Sequence, residues 1–147
     1  METMTDDELL RQFEACTLPY EVWTQHRTHV KVAHLYLKQY PYDDALERIR
    51  RGIKAYNKAK QIPEGPMQGY NETTTTAFAH LIAAVMQAYG KKFPTTTADE
   101  FCDTHPQLLT KDALRLFYSP EQRMHPLAET QFVEPDLAPL PRIVDKL

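Results

Sequence analysis

The chain has 147 residues and a formal net charge of −3 at neutral pH. Hydrophobic residues make up 42% of it and charged residues 25%, which are ordinary values for a globular protein and exclude a disordered or fibrous chain. This length can bury a core of its own but is short for two domains. We therefore expect residues 1–147 to form a single domain.

The distribution of apolar and basic residues excludes further classes of protein. No apolar run approaches the roughly 20 residues that a membrane-spanning helix needs, and the acidic start does not resemble a signal peptide. We therefore expect a cytoplasmic protein without membrane contacts. The basic cluster within residues 48–54 is local and lacks interleaved aromatic residues, so no nucleic-acid partner is expected. Cys16 and Cys102 lack the spacing of a metal or redox motif and are expected to be reduced.

The first helix is predicted by a capping box at Thr5 and Glu8. These side chains are three residues apart, so each can satisfy an unpaired amide of the first helical turn. An apolar face follows, and Pro19 disfavours helical backbone in the residue before it. We expect an N-terminal helical segment within residues 1–18.

The second helix is predicted over residues 24–40, with Thr24 as its N-cap. Its apolar stripe consists of Val30, Ala33, Tyr36, Leu37 and Tyr40. At about 100° per residue, His26 and His29 fall on the same face as this stripe. A polar ring on a core-facing stripe costs free energy unless it is hydrogen-bonded or ligated. We therefore expect this helix to be the central one and to carry a polar site.

Two further long helices are predicted. Pro41 interrupts the helical pattern, and Asp43 can cap the amphipathic helix that follows. Residues 61–69 form a loop, because they contain two prolines and two glycines. The next helix is expected over residues 70–89, and Gly90 is expected to cap its C-terminus.

Short helices are predicted in the last third of the chain. Thr97 and Glu100 repeat the capping box, and Ser119-Pro120 is typical of a helix start with proline at the first helical position. Another short helix is expected over residues 110–118.

The C-terminal tail is predicted to be extended. Residues 126–147 contain prolines spaced too closely for a long helix, and their apolar residues can dock on the bundle. The predicted fold is therefore all-α: a compact bundle of about four main helices, several short helices, and a proline-rich tail packed on the outside.

A polar site is predicted where the central helix meets the helix that begins near Glu72. Residues three apart on a helix have neighbouring side chains, so His26 and His29 have the spacing of metal ligands in helical bundles. With Glu72 they form a set of two imidazoles and one carboxylate, which is typical of divalent iron or zinc. Without a metal, the same three residues could act as acid–base groups in catalysis.

The residues next to this carboxylate are predicted to bind a substrate. Tyr70, Asn71, Thr73 and Thr75 supply hydroxyl and amide groups at the start of the same helix. Asp136, in the tail, is a candidate partner that would orient one of the histidines.

Three short motifs follow one another along the chain. They are Trp-Thr, His-x-x-His and Tyr-Leu within residues 23–37, Tyr-Asn-Glu-Thr-x-Thr at residues 70–75, and Tyr-Ser with Val-x-Pro-Asp-x-x-Pro-Leu within residues 118–140. This pattern resembles a family of small, mostly bacterial, all-helical proteins with no established activity. Gln25 is an extra residue before the first histidine, and Asn71 stands where some relatives carry histidine. The resemblance implies that the three motifs belong together and implies no particular chemistry.

Two functions are compatible with these patterns. The first is a metal-dependent or acid–base enzyme, or a binding protein, that acts on a small molecule at His26, His29 and Glu72. The alternative is a protein-interaction module in which the same residues form a structural hydrogen-bond network that fixes helix register. In that case each histidine bonds a carbonyl or carboxylate, and Glu72 stabilises a helix N-terminus by about 0.3–1 kcal/mol. The partner would then bind the amphipathic helix after Asp43 or the tail.

Overall fold

The computed structural model describes residues 4–65 and 68–143, and within these ranges the protein is all-α. Its helices are α1 (Asp6–Glu14), α2 (Tyr20–Trp23), α3 (His26–Gln39), α4 (Tyr42–Ala59), α5 (Glu72–Tyr89), α6 (Ala98–Thr104) and α7 (Pro120–Arg123). Two 3-10 turns lie at Pro106–Leu108 and Lys111–Leu116. The described ranges contain no strand, so the predicted all-α fold is confirmed. Parts of three predicted segments, at residues 1–3, 66–67 and 144–147, lie outside the described residues.

The central helix is α3, as predicted. It packs against α1, α2, α4, α5 and α6, and every residue from Val30 to Tyr36 is buried. A helix buried on all sides in this way forms the middle of a small bundle. No helix in the described ranges has both the length and the apolarity needed to cross a bilayer.

The start of α3 differs from the prediction. Thr24 is not its N-cap, because residues 20–23 already form the separate helix α2. Thr24 ends that helix, where its hydroxyl donates a hydrogen bond to the Glu21 carbonyl at 3.2 Å. Gln25 then precedes α3, which begins at His26. The histidines therefore lie in the first turn of α3.

The other predicted caps are largely confirmed. The hydroxyls of Thr5 and Thr97 accept hydrogen bonds from the amides of Glu8 and Glu100 at 3.2 and 3.1 Å. At α4 the N-cap is Pro41 and not Asp43. The predicted helix over residues 110–118 is a 3-10 turn of six residues.

An aromatic cluster fills the core beside α2. The Phe13 ring lies 5.0 Å from Trp23 and 6.2 Å from Tyr56, measured between ring centroids. The Tyr56 hydroxyl donates to the Leu18 carbonyl at 2.7 Å. The cluster fixes the indole of Trp23, which contacts His29 at a centroid distance of 4.0 Å.

The described part of the tail is bound to the bundle by polar contacts. The Thr73 hydroxyl donates to the Gln131 carbonyl at 2.9 Å and accepts from the Val133 amide at 3.0 Å. The Tyr118 hydroxyl donates to the Val133 carbonyl at 2.6 Å. Apart from turns, residues 126–143 form no regular secondary structure, as the prolines predict.

Candidate small-molecule site

A cavity of about 750 Å³ lies between α3, α4 and α5, and residues between Lys111 and Met124 also line it. Pockets for small molecules commonly have volumes of about 300–1,000 Å³. The apolar part of the lining includes Trp23, Val30, Ala33, Ile49, Ile53, Phe78, Ala79 and Ile82. The cavity is thus large enough for a small molecule and is mainly apolar along its helices.

Both predicted histidines line this cavity. Their rings are neighbours, with centroids 6.3 Å apart. Nε2 of His26 lies 3.0 Å from the Leu108 carbonyl oxygen, and Nε2 of His29 lies 2.6 Å from that of Trp23. Because a carbonyl oxygen only accepts, each Nε2 carries the proton and each Nδ1 keeps a lone pair. The Nδ1 of His26 is buried and has no hydrogen-bond partner among the described residues.

The two imidazoles are neutral at pH 7. Burial lowers the pKa of His29 to about 4, although its hydrogen bond to the Trp23 carbonyl opposes the shift. Burial also lowers the pKa of His26, and the charge of Lys111 acts in the same direction on both rings. A general base works best when its pKa is near the working pH. His29 is therefore better suited to accepting a hydrogen bond than to taking a proton.

Glu72 does not line the cavity, and its carboxylate is held by neighbouring donors. The Arg50 guanidinium donates to its two carboxylate oxygens at 2.9 and 2.7 Å, and the hydroxyls of Tyr70 and Thr76 donate to them as well. Burial acts to raise the pKa of Glu72, but the hydrogen bonds from Arg50 and Tyr70 outweigh it and hold the pKa below its usual value. This carboxylate is ionised and fully hydrogen-bonded.

The predicted set of three metal ligands is therefore not assembled. The structure brings His26 and His29 together but directs Glu72 towards Arg50 on α4. Within residues 4–65 and 68–143 no three His, Cys, Asp or Glu side chains are grouped so that they could hold a metal ion. Two neutral imidazoles are what this site offers to a divalent metal.

The predicted substrate-binding residues fall into two groups. Tyr70, Asn71 and Thr75 line the cavity, whereas Thr73 is buried and binds the tail. The Asn71 side chain caps α5 by accepting a hydrogen bond from the Thr74 amide at 2.8 Å. The Tyr70 hydroxyl donates a hydrogen bond to Glu72, so its proton is already used and is not free for a ligand.

Asp136 is not a partner of the histidines. Its carboxylate accepts hydrogen bonds from the Ser119 amide at 2.8 Å and from the Ser119 hydroxyl at 2.6 Å. Ser119 is the N-cap of α7, so Asp136 joins the tail to the start of that helix. The amide and hydroxyl of Ser119 are both donors, so they pair with the carboxylate that the tail brings to this cap.

No family model, curated protein or solved structure matches this chain. The likeness to a bacterial helical family thus stays a prediction from short motifs.

Several polar residues of the lining were not predicted from the sequence, among them Asn57, Lys111 and Arg123. The Asn57 side chain is buried, and Arg123 is half-buried; neither side chain forms a hydrogen bond within the described part of the chain. Lys111 lies on the same cavity and is exposed. No local pattern marks these residues, since Asn57 belongs to an amphipathic helix, Lys111 to a 3-10 turn and Arg123 to the short helix α7.

Proposed function

We propose that this protein binds a small molecule in the cavity between α3, α4 and α5. The proposal is supported by the cavity itself, which has a volume of about 750 Å³. Its apolar wall is interrupted by a few polar groups that have no partners among the described residues. Binding sites for small molecules have this composition, because the apolar wall supplies affinity and the polar groups fix orientation.

The wall offers distinct contacts to a ligand. The Trp23 and Phe78 rings and the aliphatic side chains of α4 can pack against an apolar body. His29 offers the lone pair of Nδ1, and the Asn57 amide offers both a donor and an acceptor. A ligand that hydrogen-bonds to these groups is oriented by them while the apolar wall supplies affinity.

Binding is supported better than acid–base catalysis by the state of the histidines. A pKa of about 4 makes His29 a weak base at neutral pH. Glu72, the other predicted catalytic group, is held by Arg50.

A metal-dependent form of the site is a second candidate, and the histidine geometry favours it. Histidines that ligate metals usually donate their second ring N–H to a carbonyl or carboxylate, and both rings do so here. The buried Nδ1 of His26 has no partner in the described ranges. An iron or zinc ion at His26 and His29 would take its other ligands from water or from the bound molecule.

The proposal can be tested with a neutral fluorescent ligand, N-phenyl-1-naphthylamine. Trp23 is the single tryptophan of the chain and lines the cavity, so its emission reports binding there. We expect saturable, one-to-one binding that quenches Trp23. The Thr75→Phe variant, which places a ring in the cavity, should abolish it, and Thr104→Phe on the exposed end of α6 should not. Absence of saturable binding, or binding unaffected by Thr75→Phe, would contradict the proposal.

A further inference from the structure

The cavity carries an excess of positive charge although the chain is acidic overall. Its charged lining residues are Lys111, Asp112, Arg115 and Arg123. Among the described residues, three cations and one anion thus face the same space, in a protein whose formal net charge is −3. This local excess is opposite in sign to the charge of the whole molecule.

Asp112 does not neutralise all of this charge. Its carboxylate lies 3.9 Å from the Arg115 guanidinium, and both side chains are mostly exposed, so the pair is weak. Among the described residues, neither Lys111 nor Arg123 forms a salt bridge. Within that part of the chain, Lys111 therefore faces the cavity without an ion pair, and Asp112 acts on Arg123 through its charge without forming a salt bridge.

Arg123 differs from the other half-buried arginines of the described chain. Arg27, Arg48 and Arg50 each donate hydrogen bonds to carboxylates at 3.1 Å or less. Arg123 is buried to a similar degree, and burial lowers its pKa, yet its guanidinium has no acceptor within the described ranges. Partial desolvation without a partner costs free energy, so this arginine is placed where an external acceptor can reach it.

Lys111 links this charge to the histidines. Its charge acts on both His26 and His29, so an anion bound beside Lys111 also lies near the imidazoles. Because both rings are neutral, they add no net charge to the cavity.

We propose that the cavity selects small organic oxyanions: molecules with a carboxylate or sulfonate group on a flat apolar body. Arg123 binds the oxyanion with its guanidinium fork, Lys111 adds a second positive charge, and the wall around Trp23 holds the body. A guanidinium pairs with two oxygens of one group, which gives orientation as well as affinity. This inference rests on the proposed function, because it names the ligand class of the same cavity.

A matched pair of probes separates the charge from the cavity. 8-Anilinonaphthalene-1-sulfonate has the same ring system as N-phenyl-1-naphthylamine and adds a sulfonate. We expect the wild type to bind the sulfonate probe more tightly than the neutral probe. Added salt should weaken binding of the sulfonate probe only. Arg123→Gln should weaken sulfonate binding about tenfold and leave binding of the neutral probe within about twofold.

Two further variants complete the experiment. Lys111→Gln should weaken sulfonate binding in the same sense, which keeps the test valid if Arg123→Gln does not fold. Arg51→Gln, an exposed arginine outside the cavity that pairs with Glu47, should leave the affinity for both probes unchanged.

The outcomes distinguish this inference from the proposed function. If the neutral probe binds in the cavity but Arg123→Gln and Lys111→Gln weaken both probes equally or neither, the selection for anions is wrong and the cavity remains a binding site. If neither probe binds the wild type, the proposed function fails and this inference fails with it.

Discussion

Two polar regions lie on either side of the start of α5, and they differ in completeness. In the first, Glu72 accepts hydrogen bonds from Arg50, Tyr70 and Thr76. In the second, the cavity, the buried Nδ1 of His26 has no partner among the described residues, and Arg123 and the Asn57 side chain form no hydrogen bond there. A satisfied network stabilises the fold, whereas buried polar groups without partners cost free energy unless something binds them. This contrast supports a structural role for Glu72 and the proposed binding role of the cavity.

The histidines of α3 show a related contrast. His29 uses one ring nitrogen on the Trp23 carbonyl and lines the cavity. His34 is 4% exposed, stacks on Phe101 at a centroid distance of 3.9 Å, and has no partner for either ring nitrogen in the described ranges. His34 does not line the cavity, so we regard it as a core residue whose unpaired ring nitrogens lower the stability of the fold.

The largest expected effect is a loss of stability in acid that depends on His34. Burial, helped by the charges of Lys38 and His105, lowers its pKa from 6.5 to about 4. Between these values the unfolded chain binds the proton and the folded chain does not. The free energy of unfolding should therefore fall as pH drops from about 6.5 to about 4, by about 3 kcal/mol in total from this residue.

Urea unfolding at several pH values checks this prediction. His29, whose pKa is also lowered to about 4, acts in the same direction, so the wild type should be compared with His34→Leu. The variant should lose stability less steeply in acid and be at least as stable at pH 7. Parallel pH profiles for the two proteins would show that His34 is not the group responsible.

Glu72→Gln should be the most destabilising single substitution at the polar groups around α5 when stability is measured at pH 7. It leaves Arg50, whose side chain is 25% exposed, without its main charge partner, and we expect a loss of about 2–3 kcal/mol in urea unfolding. Glu47→Gln removes a more exposed partner of Arg50 and should cost less than about 1 kcal/mol. Folded Glu72→Gln protein should still bind the neutral probe, and a specific loss of binding would return Glu72 to the site.

His29→Ala should have the opposite effect to Glu72→Gln: a small loss of stability and a clear loss of binding. It removes one hydrogen bond at the cavity wall, so the free energy of unfolding should fall by only about 1 kcal/mol. Binding of both naphthalene probes, followed by their own emission, should weaken severalfold. If the variant is as unstable as Glu72→Gln and binds like the wild type, the histidines belong to a structural network and the binding role is wrong.

Zinc should have the smallest effect. Two imidazoles without a carboxylate make a weak site, so micromolar Zn²⁺ should raise the melting temperature by about 1 °C or less. A large rise that is lost in the His26→Ala/His29→Ala double variant would show a metal site completed by other ligands. Elemental analysis of protein purified without a tag or chelator provides the same comparison.

Features that depend on neighbouring residues were predictable from the sequence. The capping boxes at Thr5 and Thr97 form as expected because both partners lie within one helical turn. The shared face of His26 and His29 follows from helical geometry, and both rings reach the cavity. The all-α class follows from the same periodicity.

Features that depend on helix packing were not predictable. Glu72 pairs with Arg50, which is 22 residues earlier, and the sequence does not show which faces of α4 and α5 meet. The contact of Thr73 with the tail and that of Asp136 with the cap of α7 also join residues far apart in the sequence. Asn57 reaches the cavity from an ordinary amphipathic helix and Arg123 from the short helix α7, so no local pattern distinguishes them.

A crystal structure of the protein with 8-anilinonaphthalene-1-sulfonate would decide whether the cavity is a binding site for organic anions. We expect the naphthalene ring inside the cavity against Trp23, with the sulfonate within hydrogen-bond distance of the Arg123 guanidinium. A probe bound only on exposed apolar side chains such as Leu116, which is 72% exposed, with an empty cavity, would contradict this expectation.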